Sequence, residues 1–159
     1  MGDDMNPHQD HSGAKIHPPI LWLFHMIAVV VINTFLPLPL AFPVLLIWLG
    51  RLLVILGAAL GLSALSGFWR ARTTVNPRGS VSSSVMGGPY RFTRNPMYLG
   101  FVILLIGFPL LFKSYWGLIL SPLFVVLMNR LVIRHEEAYL EKKFAEQYTN
   151  YKVRVRRWI

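Results

Sequence analysis

The chain contains no cysteine. This absence removes disulfides, a thiolate nucleophile, zinc held by sulfur and iron–sulfur clusters held by this chain. It also leaves the redox compartment unreadable from cysteine usage. Acids are nearly as scarce: 7 Asp and Glu stand against 16 Lys and Arg, for a formal net charge of +9. Between Asp10 and Glu141 the only acids are Glu136 and Glu137. Charged residues of both signs make up 14% of the chain. No strand pattern leads into G-x-G-x-x-G, which removes the soluble nucleotide-binding route built on a parallel sheet. No internal repeat is present.

What is there is apolar. The hydrophobic fraction is 54% and the mean hydropathy +0.48, above the usual range of a soluble domain. A chain of 159 residues reads as one domain. The pattern predicts an all-α integral membrane protein, a helical bundle of four spans at residues 20–36, 41–65, 97–112 and 115–133. Residues 1–19 read as a polar tail. His8, His11 and His17 lie there among Asp3, Asp4 and Asp10, a composition of a solvated terminus rather than a metal site. The tail lacks a basic n-region and a small-residue cleavage site, so the first apolar run reads as retained.

Several features interrupt the spans. His25 and Asn33 sit in the first, and Arg51 sits in the second, where an unpaired charge must snorkel, pair or line a cavity. Gly57-Ala58-Ala59-Leu60-Gly61 is a small-xxx-small pattern and reads as a packing face. The third span would rise only about 24 Å, placing its polar end at the interface or within protein.

Cations set the orientation. The short connections at 37–40 and 113–114 hold only Lys113, whereas the polar loop from Phe68 to Asn95 holds Arg70, Arg72, Arg78, Arg91 and Arg94. Seven more cations follow Ile133. The positive-inside rule then puts that loop and both termini in the cytoplasm. Arginines in this arrangement meet lipid headgroups, so the bilayer is the expected partner and nucleic acid is not. Residues 134–159 read as a cytosolic cap. Leu140, Phe144, Tyr148, Tyr151 and Val155 form one stripe of an amphipathic C-terminal helix, with Lys142, Lys143, Glu146 and Lys152 mostly off it.

Two polar clusters fall on the same side of this hairpin. One is Gly87-Gly88-Pro89-Tyr90-Arg91-Phe92-Thr93-Arg94-Asn95-Pro96-Met97-Tyr98-Leu99-Gly100, and the other is Arg134-His135-Glu136-Glu137. Pro96 suits a first helical turn, so Arg94 and Asn95 lie near a helix N-terminus that favours an anionic group. Tyr98 is one turn on. A glutamate facing that end would take a cationic group, so the site suits a zwitterion such as an amino acid derivative. A structural ion pair of the glutamates with Arg94, Arg130 or Arg134 is the competing reading.

These motifs, together with Phe144…Tyr148…Tyr151…Arg154-Val155…Arg157-Trp158, resemble the integral membrane methyltransferases. That superfamily includes isoprenylcysteine carboxyl methyltransferase and the phospholipid N-methyltransferases. The resemblance covers roughly residues 70–159. It implies S-adenosylmethionine as cofactor, held between the last two spans and the cap by Arg94, Asn95, Tyr98, Gly100, Glu136 and Glu137. Arg91, Arg157 and Trp158 would line the substrate side. Asn95 stands where isoprenylcysteine enzymes place histidine; it hydrogen-bonds but does not titrate near neutrality. The implied activity is methyl transfer to a membrane-partitioning or small hydrophobic acceptor, with no catalytic side chain assigned. Two rivals remain at this point: a non-catalytic membrane scaffold of the same fold, and an NADPH-dependent membrane reductase of the sterol type.

Overall fold

In the computed structural model, residues 13–38, 40–70 and 86–159 are described. His8 and His11 of the tail, and Arg72 and Arg78 of the polar loop, lie outside the described residues. The fold is an all-α membrane bundle, with no strand among the described residues. Its helices are α1 (Pro18–Phe35), α2 (Val44–Arg70), α3 (Pro96–Leu111), α4 (Tyr115–Met128) and α5 (Arg134–Arg154). A short 3₁₀ turn, Gly88–Arg91, precedes α3, and a π-turn, Asn129–Ile133, joins α4 to α5 without a break. Helices α1 and α2 and the continuous run from Tyr115 are long and apolar enough to cross a membrane, whereas α3 is a shorter apolar helix. The apolar part of the Tyr115 run ends at Ile133, and the charged α5 begins there.

Burial follows helical spacing. On α1 the buried residues are Pro18, Leu21, His25 and Val29, one face at i, i+3, i+7, i+11 on a helix that packs on α4 and α3. On α2 they are Gly50, Gly57 and Ala64, a seven-residue spacing of small side chains. This stripe meets Gly100 and Gly107 of α3 backbone to backbone. A Cβ added at Gly57 would stand 3.0 Å from the Gly100 carbonyl oxygen, and one at Gly107 would stand 3.1 Å from that of Gly50. Small residues are what let two spans come this close. The packing face read at Gly57 is therefore present, and the buried stripe runs beyond the motif, from Gly50 to Ala64.

Leu105, Phe124, Met128, Val132 and Ile133 are wholly buried, with Leu21 and Tyr98 beside them. This core lies between α1, α3 and α4 and continues through the π-turn to the start of α5. The indole of Trp22 donates to the Phe101 carbonyl at 3.2 Å, tying α1 to α3. At the opposite end, the Tyr115 hydroxyl donates to the Ala41 carbonyl and the Trp116 indole to the Leu36 carbonyl, each at 2.7 Å. Arg51 is exposed and lies 4.3 Å over the Trp48 ring, a cation–π contact.

The C-terminal helix differs from the straight stripe expected of it. Ala145 has φ 40, outside helical geometry, and α5 kinks there. Lys152 consequently pairs with Glu141 across the kink, although a straight helix would hold residues at that separation about 16 Å apart. Tyr148 and Tyr151 are still buried and Leu140, Phe144 and Val155 half-buried. The periodicity marked the inward residues correctly. The backbone turn that aims them inward was not in it.

Candidate functional site

The site is assembled from three pieces of chain: the turn into α3, the start of α5 and the last residues. Residues 93–95 run alongside residues 156–157. The Arg94 amide donates to the Arg156 carbonyl at 2.9 Å. The Thr93 hydroxyl and the Asn95 side-chain amide both donate to the Arg157 carbonyl, at 3.1 and 3.0 Å. Thr93 also accepts from the Asn95 amide at 3.2 Å, and the Tyr151 hydroxyl donates to the Tyr90 carbonyl at 2.6 Å. Asn95 occupies the N-cap position of α3 but makes no side-chain cap. The first turn of that helix thus keeps its free backbone donors, the positive end of its dipole.

The two glutamates meet different surroundings. Glu137 is buried and accepts from Arg157 twice, Nε to Oε1 at 3.1 Å and a terminal nitrogen to Oε2 at 2.5 Å. Arg94 also lies 3.3 Å from Glu137 Oε1, with only 10% of its side chain exposed. That approach has charge but not hydrogen-bond geometry, since Arg94 Nε and that same terminal nitrogen have no hydrogen-bond partner. Glu136 accepts from the Tyr98 hydroxyl at 2.7 Å. Among the described residues, no cation forms an ion pair with Glu136.

Electrostatics separate them further. Burial pushes the Glu136 carboxyl up to about 7, against the Tyr98 hydrogen bond, which lowers it, and with Glu137 adding to the rise. Hydrogen bonding to Glu137 holds the Arg157 guanidinium above its ordinary value. Burial raises the Tyr148 phenol, with Glu137 adding to it and Arg94 opposing. Burial brings Tyr151 up to about 12, again against Arg94.

The structure thus brings together Arg94, Asn95, Tyr98, Glu136, Glu137 and Arg157. Trp158 packs half-buried against the core beside them. Arg91 is exposed and joins none of these contacts. Gly100 faces away from Tyr98 around α3, since two residues turn a helix by about 200°; its Cβ position looks onto the backbone of Gly57 and Gly61. Of the ion-pair partners considered, Arg94 is present, whereas Arg130 and Arg134 are exposed and Arg157 is used instead. Sequence reasoning missed Thr93, a polar residue in a turn. It also missed the part of Tyr90, which contributes only a backbone carbonyl.

An all-α bundle of apolar helices, with a buried carboxylate and arginine cluster, defines an integral membrane protein with a polar cluster at one end of its helices. A family model described as phospholipid methyltransferase matches residues 45–147, which include both glutamates, Arg94 and Tyr98. The chain belongs to the phospholipid methyltransferase family. An uncharacterised protein of Haemophilus influenzae is 35% identical over 63 residues, spanning 40% of this chain and 100% of that one. No solved structure matches.

Proposed function

We propose that this protein transfers a methyl group from S-adenosylmethionine to a membrane-partitioning acceptor, at the end of the bundle where α3 begins and α5 starts. Family membership supports methyl transfer as the class of chemistry. One observation carries the cofactor assignment: Glu136, a half-buried carboxylate that no cation among the described residues pairs with, stands next in sequence to Glu137, beside which Arg94 offers buried donors without acceptors. Such a pair of unmet groups fits an amino acid moiety, ammonium toward Glu136 and carboxylate toward Arg94 and the first turn of α3. Glu137 then works indirectly, fixing Arg94 and Arg157, while Tyr98 orients the Glu136 carboxylate.

The bound cofactor supplies an electrophilic methyl on a sulfonium, so the chain needs no nucleophile of its own. Its residues bind, align and exclude water, and holding the two reactants in line supplies much of the rate. The residues that fasten the last segment, Thr93, Asn95 and Arg157, close the polar side of the site.

The acceptor reading rests on location. Helix α3 has 16 residues and spans about 24 Å, so its start lies at the interface rather than out in water. An acceptor with an apolar body and one nucleophilic head reaches such a site by lateral diffusion. The family description favours a lipid among these, and Asn95 in place of histidine turns the reading from a prenylated protein terminus toward a lipid, thiol or amine. By the cation asymmetry, this end and both termini face the cytoplasm.

Titration calorimetry of the purified protein with S-adenosylhomocysteine and with NADPH tests this directly. Binding of the first and not the second is expected. NADPH binding would point to the reductase, and no binding of either to a scaffold. A methyl-transfer assay across amines and thiols of increasing chain length then tests the acceptor. Turnover should rise with tail length until the site is filled, and a preference for short, charged acceptors would overturn it.

A further inference from the structure

At the end of the bundle away from the glutamates lies a cavity of about 240 Å³ between α1, the end of α3 and the start of α4. A single structural water needs only about 10–15 Å³ on this measure. Its lining is graded. Asn33, Thr34 and Ser114 line it toward that end of the bundle, and Met26, Val29 and Val30 line it further along α1, Met26 by about two turns or ~10 Å.

Ser114 is the unusual residue. It holds the N-cap position of α4 with extended backbone, yet its side chain makes no cap hydrogen bond. Serine at that position ordinarily accepts from the first turn of its own helix. Here the residue is 3% exposed and its hydroxyl has no hydrogen-bond partner, while the residue is among those that line the cavity. A buried hydroxyl without a partner costs free energy that a ligand would recover.

Charge adds the sign. Lys113, next to Ser114, is exposed with φ 56. Every acid among the described residues lies at the far end of the bundle, from Glu136 onward. A donor toward that end, a cation next to it in sequence, no acid among the described residues nearby and apolar residues further along α1 together match a single-chain amphiphile with an acidic head.

We propose that this cavity is a lipid site, taking one acyl chain along Met26, Val29 and Val30 with its carboxylate accepting from Ser114 Oγ beside Lys113. It is distinct from the methyl-transfer site and independent of that reading.

The test uses the full chain reconstituted in bilayer nanodiscs, with a diazirine-bearing fatty acid and the matching fatty alcohol as probes. Adducts are mapped by peptide mass spectrometry. The acid should label residues 26–34 and 112–114 well above other lipid-facing segments, and the alcohol should label them less. Ser114→Ala should lower the acid's labelling there about tenfold, the order expected for a lost hydrogen bond to a charged group. Val30→Trp, a change at a residue 59% exposed, fills the cavity from its rim and should abolish the labelling without unfolding the protein. Size-exclusion and melting profiles check the fold of both variants. Labelling spread evenly over all lipid-facing helices, equal labelling by acid and alcohol, or labelling that survives Val30→Trp in a folded protein would each overturn the proposal.

Discussion

Arg157 reaches back 20 residues along the chain to hold Glu137 through two parallel hydrogen bonds, at 3.1 and 2.5 Å. A fork of this kind fixes direction as well as distance. It anchors the last residues over the start of α3, where Arg94 shares the same carboxylate. Cutting the partners unequally should have unequal effects. Glu137→Ala leaves two guanidinium groups uncompensated, one of them buried, and should destabilise by about 3–5 kcal/mol. Arg157→Ala leaves Glu137 with Arg94, and since Arg157 is 34% exposed the loss should be nearer 1 kcal/mol. Thermal unfolding in detergent ranks them, and a larger effect for Arg157→Ala would contradict this account.

Glu136 should make stability depend on pH in an unusual direction. Its folded value near 7 lies above the ordinary 4.5, so the folded protein holds that proton more tightly than the unfolded chain. The contribution is complete below about pH 4.5 and is lost as pH rises through 7. Its full size is on the order of 3 kcal/mol. Glu136→Gln should flatten this slope and be more stable than the parent above pH 7. Melting temperatures between pH 4.5 and 8 decide it; parallel curves for the two proteins would remove Glu136 as the cause.

The same proton bears on ligand binding. If a cationic group seats at Glu136, binding releases the proton, and affinity for S-adenosylhomocysteine should rise as pH climbs through 7. Calorimetry in buffers of different ionisation enthalpy measures the release. In Glu136→Gln, affinity should fall roughly 10–150-fold and the proton release should vanish. Retained affinity with a lowered melting temperature would mean the carboxylate is structural.

The contact between α2 and α3 predicts a contrast between glycines one turn apart. Gly57→Leu drives a side chain into the Gly100 carbonyl, 3.0 Å from its Cβ, and should cost about 1–3 kcal/mol. At Gly61 a Cβ meets nothing within 4 Å, so Gly61→Ala should be neutral or stabilising by up to about 1 kcal/mol through helix propensity. Equal effects at both sites would count against the packing described.

Orientation in the membrane is testable without background, because the chain has no cysteine. Val153→Cys is at a residue 84% exposed on α5, and Lys113→Cys is in the exposed turn between α3 and α4. An impermeant thiol reagent should reach the first only from the cytoplasmic side and the second only from the other. Labelling of both from one side would rule out the proposed topology.

The apolar runs determined the helices, because nothing but a helix satisfies its own backbone in a bilayer. Pro96 marked where α3 starts, since a proline there removes no helical hydrogen bond. The order of Arg94, Tyr98 and the two glutamates marked which end would carry the polar site. Which glutamate is clamped by arginine and which meets no cation among the described residues was not readable from Glu136-Glu137, because neighbours on a helix point about 100° apart and only packing selects their partners. Nor was the part of Arg157, which depends on the kink at Ala145 and on the backbone bonds of residues 93–95 to the chain's end. Spacing along a chain reports which residues share a helix face. Which faces meet, and which buried charge is then left to find its partner elsewhere, is settled only when the helices pack.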